Sequence, residues 1–174
     1  IWERNLDLSI TESGKHVLDN NPQLQFSEVV QPKNITKTLI NELSSNQKML
    51  IMFKDIESIV KIFCNIFDTK QVWLRLDAID RPMCPRFHFD NLKCRLVTTY
   101  VGPGTQWLPN HLFNRNKLGH GNQGKPDNES GLFANSNDIE QLETGHVALL
   151  KGDTWEGNRG KDLVHRSPHT KDNY

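Results

Sequence analysis

The sequence predicts an α+β fold, with helices through the first third and a core built of short strands after it. Three observations predict it. Apolar residues recur at helical spacing as far as residue 69, and from Val72 the period shortens to two. Strong turn chemistry, at Gly102-Pro103-Gly104 and between Gly152 and Gly160, then punctuates the later extended runs. The 174 residues suit a single compact domain. Residues 1–69 are expected as mainly helical support and residues 70–174 as the β core.

Residues 1–34 are mixed and polar, and Pro22 and Pro32 interrupt any long element. Ile35, Leu39, Ile40 and Leu43 fall on one helical face, which predicts a helix over residues 35–43. Asp55 is suited to cap a second helix carrying Ile56, Ile59, Val60, Ile62, Phe63, Ile66 and Phe67. That helix is apolar round much of its circumference, and Cys64 belongs to its core face. Val72, Leu74, Leu76 and Ala78 then alternate with Trp73, Arg75 and Asp77, the pattern of a half-buried strand. A second extended run, Arg86 to Asp90, follows Pro85, and a third, rich in β-branched residues, spans Cys94 to Val101. Residues 109–145 form a long polar insert, of a length that usually belongs to a lid or binding loop. Strand character returns at His146–Leu150 and Leu163–Ser167. Trp107 and Trp155 each follow a turn near a strand end, where they would pack a hairpin or line a pocket mouth.

Composition excludes several functions. The 21 Lys+Arg balance 21 Asp+Glu, so nucleic acid and anionic membrane surfaces, which favour a basic excess, are not expected partners. A hydrophobic fraction of 36% and a charged fraction of 24% describe a globular chain and not a disordered one. No run approaches the roughly 18 apolar residues of a membrane span. The three cysteines, Cys64, Cys84 and Cys94, contain no C-x-x-C pair and make a poor disulfide framework, so a reducing, cytoplasmic setting is expected.

The chemistry concentrates in His88-Phe89-Asp90. On an extended chain His88 and Asp90 project to one face and Phe89 to the other. An imidazole beside a carboxylate chelates a divalent transition metal, and a second His from a distant strand completes a two-His-one-carboxylate face with open positions. His165, in L-V-H-R-S-P, is the expected partner, and His169, four residues on, is the alternative. His111 and His120, in the insert, are weaker candidates for a second metal, and His146 reads as surface. The competing structural reading has His88 bonding a carbonyl and Asp90 capping a turn. Arg86 shares the parity of His88 and Asp90, so it either binds a carboxylate near the metal or pairs with Asp77 or Asp80. Arg166 has the parity opposite to His165 and is expected to point away. Arg95 and Tyr100 lie on opposite faces of the next strand, and Tyr100 is the favoured partner for a bound carboxylate.

The order H-x-D, L-V-T-T-Y, G-x-G-T, G-H-V-A-L-L and H-R-S-P resembles the double-stranded β-helix of iron(II) and 2-oxoglutarate dependent oxygenases. The resemblance covers about Val72 to Pro168. R-F-H-x-D, T-Y-x-G-P-G-T-x-W-L-P, L-L-K-G and L-V-H-R-S-P are also similar to a bacterial domain family of unknown function. The first resemblance implies a jelly-roll or cupin-like barrel buttressed by the N-terminal helices. It also implies Fe(II) on His88, Asp90 and His165, 2-oxoglutarate as cosubstrate, and a small-molecule or amino-acid-like substrate. Arg86, Tyr100, Arg95 and Arg166 are then the candidates for cosubstrate or substrate binding. The alternatives are a non-redox zinc-binding or metal-handling protein on the same barrel, and a ligand-binding barrel whose H-x-D is structural. Oxygenases of this kind carry a basic anchor about ten residues beyond the late His. Lys171 is the basic residue of that stretch and stands early in it, so either a trimmed terminal strand carries the anchor, or another group such as Arg86 anchors the cosubstrate, or 2-oxoglutarate is not used.

Overall fold

The computed structural model describes residues 1–43 and 47–168. The chain divides into two compact units, Leu6–Asp80 and Ile1–Asn5 with Arg81–Tyr174.

The first unit holds three helices and one pair of strands. Helix α1 (Leu8–Asn20) and strand β1 (Gln25–Val30) lie in the stretch whose mixed composition hides them from periodicity. Helix α2 (Ile35–Glu42) falls where the spacing predicts it. Helix α3 (Leu50–Ile66) begins five residues before the expected cap, so Asp55 is interior to the helix and Met49 occupies the cap position. The reason is tertiary. Met52 and Phe53 are buried, and the hydroxyl of Ser13 on α1 accepts the Met52 N–H at 3.1 Å, satisfying an amide that an isolated helix leaves open. The buried stripe of α3 runs through Met52, Phe53, Ile56, Ile59, Val60 and Cys64, and both other helices pack on α3. Ile62 and Ile66 stay exposed, so the helix is less buried than its composition suggests. Strand β2 (Val72–Asp77) pairs antiparallel with β1, Phe26 facing Leu76 and Val30 facing Val72. The structure thus places the first alternating run in this unit.

The second unit carries short antiparallel strands. Strand β3 (Cys94–Thr98) pairs with β6 (Val147–Lys151). Strand β4 (Gln106–Leu108) lies between β5 (Glu140–Gln141) and β7 (Val164–Arg166). Two backbone bridges extend these sheets: Trp2 onto Val147 of β6, and His88 onto His165 of β7. Among the described residues the strands form three separate sheets and no closed barrel.

Leu163, just before β7, and Val164, its first residue, serve two apolar clusters. Val164 joins Phe87, Leu108 and Leu132, with Phe113, Leu118, Phe133 and Ile139 of the insert packed against them. Leu163 packs with Val97 against Leu142, Ala148 and Leu150. The insert is therefore not a bare loop. It turns through short 3-10 helices at Arg115–Lys117, Gly119–Asn122 and Ser136–Asp138, and it contributes Leu132 to the core.

Gly104 and Gly152 permit close backbone approaches. A Cβ on Gly104 would stand 2.4 Å from the Leu142 carbonyl oxygen, and one on Gly152 would stand 2.0 Å from that of Leu92 and 2.7 Å from that of Asp90. The second places the G of L-L-K-G directly against the H-x-D loop.

Candidate metal centre

His88 and His165 face each other across a hydrogen-bonded antiparallel pair, His88 N donating to the His165 carbonyl at 3.0 Å and His165 N returning the bond at 2.9 Å. Directly opposed residues share a face, so the two rings lie together, 4.6 Å between centroids. Asp90, two residues after His88, brings a carboxylate to the same place. His165 Nε2 lies 3.6 Å from Asp90 Oδ2, and one donor atom from each of the three residues lies within 4.8 Å of the others.

Backbone carbonyls orient both rings. His88 Nδ1 is 3.0 Å from the Arg86 carbonyl, and His165 Nδ1 is 3.2 Å from that of Leu163. A carbonyl only accepts, so each Nδ1 must carry the proton, which leaves each Nε2 as a lone pair. This arrangement is common for metal-ligating histidines. Burial holds His165 below the ordinary imidazole pKa, opposed by the Leu163 carbonyl and Asp90. The neutral ring is the form that ligates.

Asp90 Oδ2 supplies the test of whether a metal fits. It is buried and accepts no hydrogen bond, a costly state for a carboxylate oxygen. Arg95 Nε lies 3.1 Å away, close enough for an ion pair but outside hydrogen-bonding alignment. A divalent cation bonded to that oxygen would satisfy it, and the donor set of two imidazoles and one carboxylate suits iron or zinc.

The remaining candidates fall elsewhere. Between Arg95 and Tyr100, it is Arg95 that reaches Asp90, while Tyr100 is buried beyond the end of β3. Arg86 pairs with Asp127, at 3.5 Å, and donates to the Lys125 carbonyl, where the sequence suggested Asp77 or Asp80. Arg166 points to the face opposite His165, where it lies 4.4 Å from the Phe87 ring, donates to Gln106 Oε1 at 2.8 Å and approaches Asp127 at 3.4 Å. His111 and His120 are exposed and join no metal-ligating cluster among the described residues. His146 stands beside Glu143, its Nδ1 accepting the Glu143 N–H at 3.4 Å. His169 and Lys171 lie outside the described residues.

Trp107 is opposite His165 in the β4–β7 register and so shares the histidine face. It also lines an apolar cavity of about 150 Å³ with Leu142, Ala148, Leu150 and Leu163. A larger cavity, about 360 Å³, lies among Leu24, Phe26, Glu42 and Leu43 and contains none of the candidate ligands. Chemistry and not volume therefore marks the site. Asp127 escapes sequence reasoning altogether, because a Pro-Asp in a polar insert signals a turn and nothing more.

No curated protein and no solved structure matches the chain. The family model described as Protein of unknown function (DUF1826) matches residues 1–174, and the chain belongs to that family.

Proposed function

We propose that the chain is a divalent-metal protein of the two-His-one-carboxylate kind, with His88, Asp90 and His165 as ligands. We propose further that it is an oxygenase-like enzyme using iron(II), on a fold related to the double-stranded β-helix. One observation carries the metal reading: a donor atom from each of His88, Asp90 and His165 lies within 4.8 Å of the others, and the Asp90 oxygen that accepts no hydrogen bond lies 3.6 Å from His165 Nε2. Three protein ligands leave positions open, and a bound ion would supply Lewis-acid or, as iron(II), redox chemistry to a small molecule there.

The chain's own residues set the conditions. The carbonyls of Arg86 and Leu163 fix the imidazole tautomers and ring orientation. Arg95, half-exposed beside Asp90, offers a guanidinium to an anionic group of the incoming molecule. Trp107 and Leu163 present apolar surface beside His165, which limits water on that side.

A second reading, a zinc site without redox chemistry, is favoured by the arginines. Arg86 and Arg166, two of the candidate anchors for 2-oxoglutarate, are both engaged by Asp127. The experiment begins with elemental analysis of chain prepared without chelators, where about one metal per chain is expected for a single three-ligand site. His88→Ala and Asp90→Ala should each abolish it, and retention of the metal in both variants rejects the triad. Anaerobic Fe(II) with 2-oxoglutarate should then give a weak visible charge-transfer band. Tight Zn(II) binding with no such band selects the zinc reading.

A further inference from the structure

We propose that Asp127, from the long insert, is a positioning residue for this centre: its carboxylate holds the segments that carry His88 and His165 side by side. The inference rests on the metal reading for its functional meaning, while its geometric content stands without a metal. Asp127 Oδ2 accepts the backbone N–H of Phe87, the residue before His88, at 2.9 Å. The same oxygen lies 3.4 Å from Nη1 of Arg166, the residue after His165. Asp127 Oδ1 lies 3.5 Å from Nε of Arg86. One carboxylate thus touches the neighbour of each histidine.

The carboxylate is itself fixed. Asp127 is only 8% exposed. The Ser130 hydroxyl donates to the Asp127 carbonyl at 3.0 Å and accepts the Leu132 N–H at 3.2 Å. Leu132 is 1% exposed and packs with Phe87 and Val164, so the turn that presents Asp127 is anchored in the core beneath both segments. Two guanidiniums, those of Arg86 and Arg166, converge on it. A neutral side chain at 127 would leave Arg166 with the Phe87 ring and Gln106 but no counter-ion among these contacts. The two histidine segments share few other direct bonds. Among the described residues they are the mutual His88–His165 pair, the Ser167 N–H donating to the Cys84 carbonyl at 2.9 Å, and the Cys84 N–H donating to the Ser167 hydroxyl at 3.1 Å.

A residue that only stabilised the insert would loosen the unit generally. A positioning residue would loosen His88 and His165 selectively. The test compares Asp127→Asn, Asp127→Ala and Asp127→Glu, each checked for native circular dichroism. Asp127→Asn keeps an acceptor for Phe87 and serves if the alanine variant does not fold. In metal-free chain, amide exchange at His88 and His165 should accelerate roughly tenfold relative to the β3–β6 ladder, in proportion to the lost contacts. With Co(II) as probe, affinity should fall by roughly 10- to 100-fold, as for other groups that orient metal ligands. The visible Co(II) bands should shift as well, and Asp127→Glu should restore part of both. Exchange at His88 and His165 that keeps step with the β3–β6 ladder overturns the proposal, as does a Co(II) affinity and spectrum unchanged in the neutral variants. If the wild-type chain binds no Co(II), the metal reading falls, and the exchange measurement alone decides whether Asp127 holds the two segments together.

Discussion

His88 and His165 each commit one ring nitrogen to a backbone carbonyl, and that commitment determines what the other nitrogen can do. The structural alternative drawn from sequence, a histidine bonded to a carbonyl, is thus present at both rings and is compatible with ligation. Asp90 depends on its backbone as well. The Asp153 N–H donates to the Asp90 carbonyl at 3.0 Å, and Gly152 lies so close that a Cβ would overlap the Leu92 and Asp90 carbonyl oxygens. Gly152→Ala should therefore push the H-x-D loop away, costing roughly 1–3 kcal/mol of stability and weakening Zn(II) binding. Urea unfolding and a zinc titration would check both, and an unchanged zinc affinity would mean the loop absorbs the methyl elsewhere. Arg95 makes the opposite prediction. Its side chain is 48% exposed, so the pair with Asp90 adds at most about 1 kcal/mol to stability. A fixed cation 3.1 Å from a metal-ligating oxygen nevertheless repels a divalent ion. Arg95→Gln should leave the unfolding midpoint nearly unchanged and raise Zn(II) affinity roughly three- to tenfold, the effect of about 1 kcal/mol of relieved repulsion. Competition with a chelating dye would measure it: unchanged binding would show that Arg95 faces away from the ion, and weaker binding that it holds Asp90 in place.

Elements whose own residues carry a period were legible, and elements held by distant partners were not. α2, β2, β3, β6 and β7 lie where spacing places them, within a residue or a few at the ends. α3 was recognisable by its stripe, but its start was misplaced because Ser13 caps Met52 across a long stretch of chain. β4 and β5, three and two residues long, carry no readable alternation and exist through pairing with each other and with β7. The insert likewise looked polar because its few apolar residues, Phe113, Leu118, Leu132 and Phe133, are spread along the chain and gather only after folding. The Ser13 contact is open to a direct check. Ser13→Ala leaves a buried Met52 N–H without its acceptor and should cost about 1–2 kcal/mol. That loss should appear as a lower urea midpoint with an unchanged m-value, whereas a wild-type midpoint would mean that water or a neighbouring group replaces the hydroxyl.

At the scale of the whole molecule, the H-x-D pair could be read because its two residues are adjacent along an extended chain, whereas its union with His165 is long-range. The motif order suggested that union by resemblance, and the β bridge between His88 and His165 supplies it physically. All three ligands belong to the unit containing Arg81–Tyr174, and none belongs to Leu6–Asp80. A metal bound by them would cross-link the segment before β3 to β7, two parts of one unit that are far apart in sequence. A ligand that binds only the native state stabilises it by mass action, about 2.7 kcal/mol at a free concentration 100 times the dissociation constant. Because the ligands join Phe87–Asp90 to Val164–Arg166, added protection should appear first in those stretches and in β4, which pairs with β7. Hydrogen-exchange mass spectrometry of chelator-treated and Zn(II)-loaded chain would show it. Peptides from α1, α2 and α3 should exchange alike in both states. Protection rising equally across both units would mean that the metal acts through global folding or binds elsewhere, and protection absent from Val164–Arg166 would remove His165 from the ligand set.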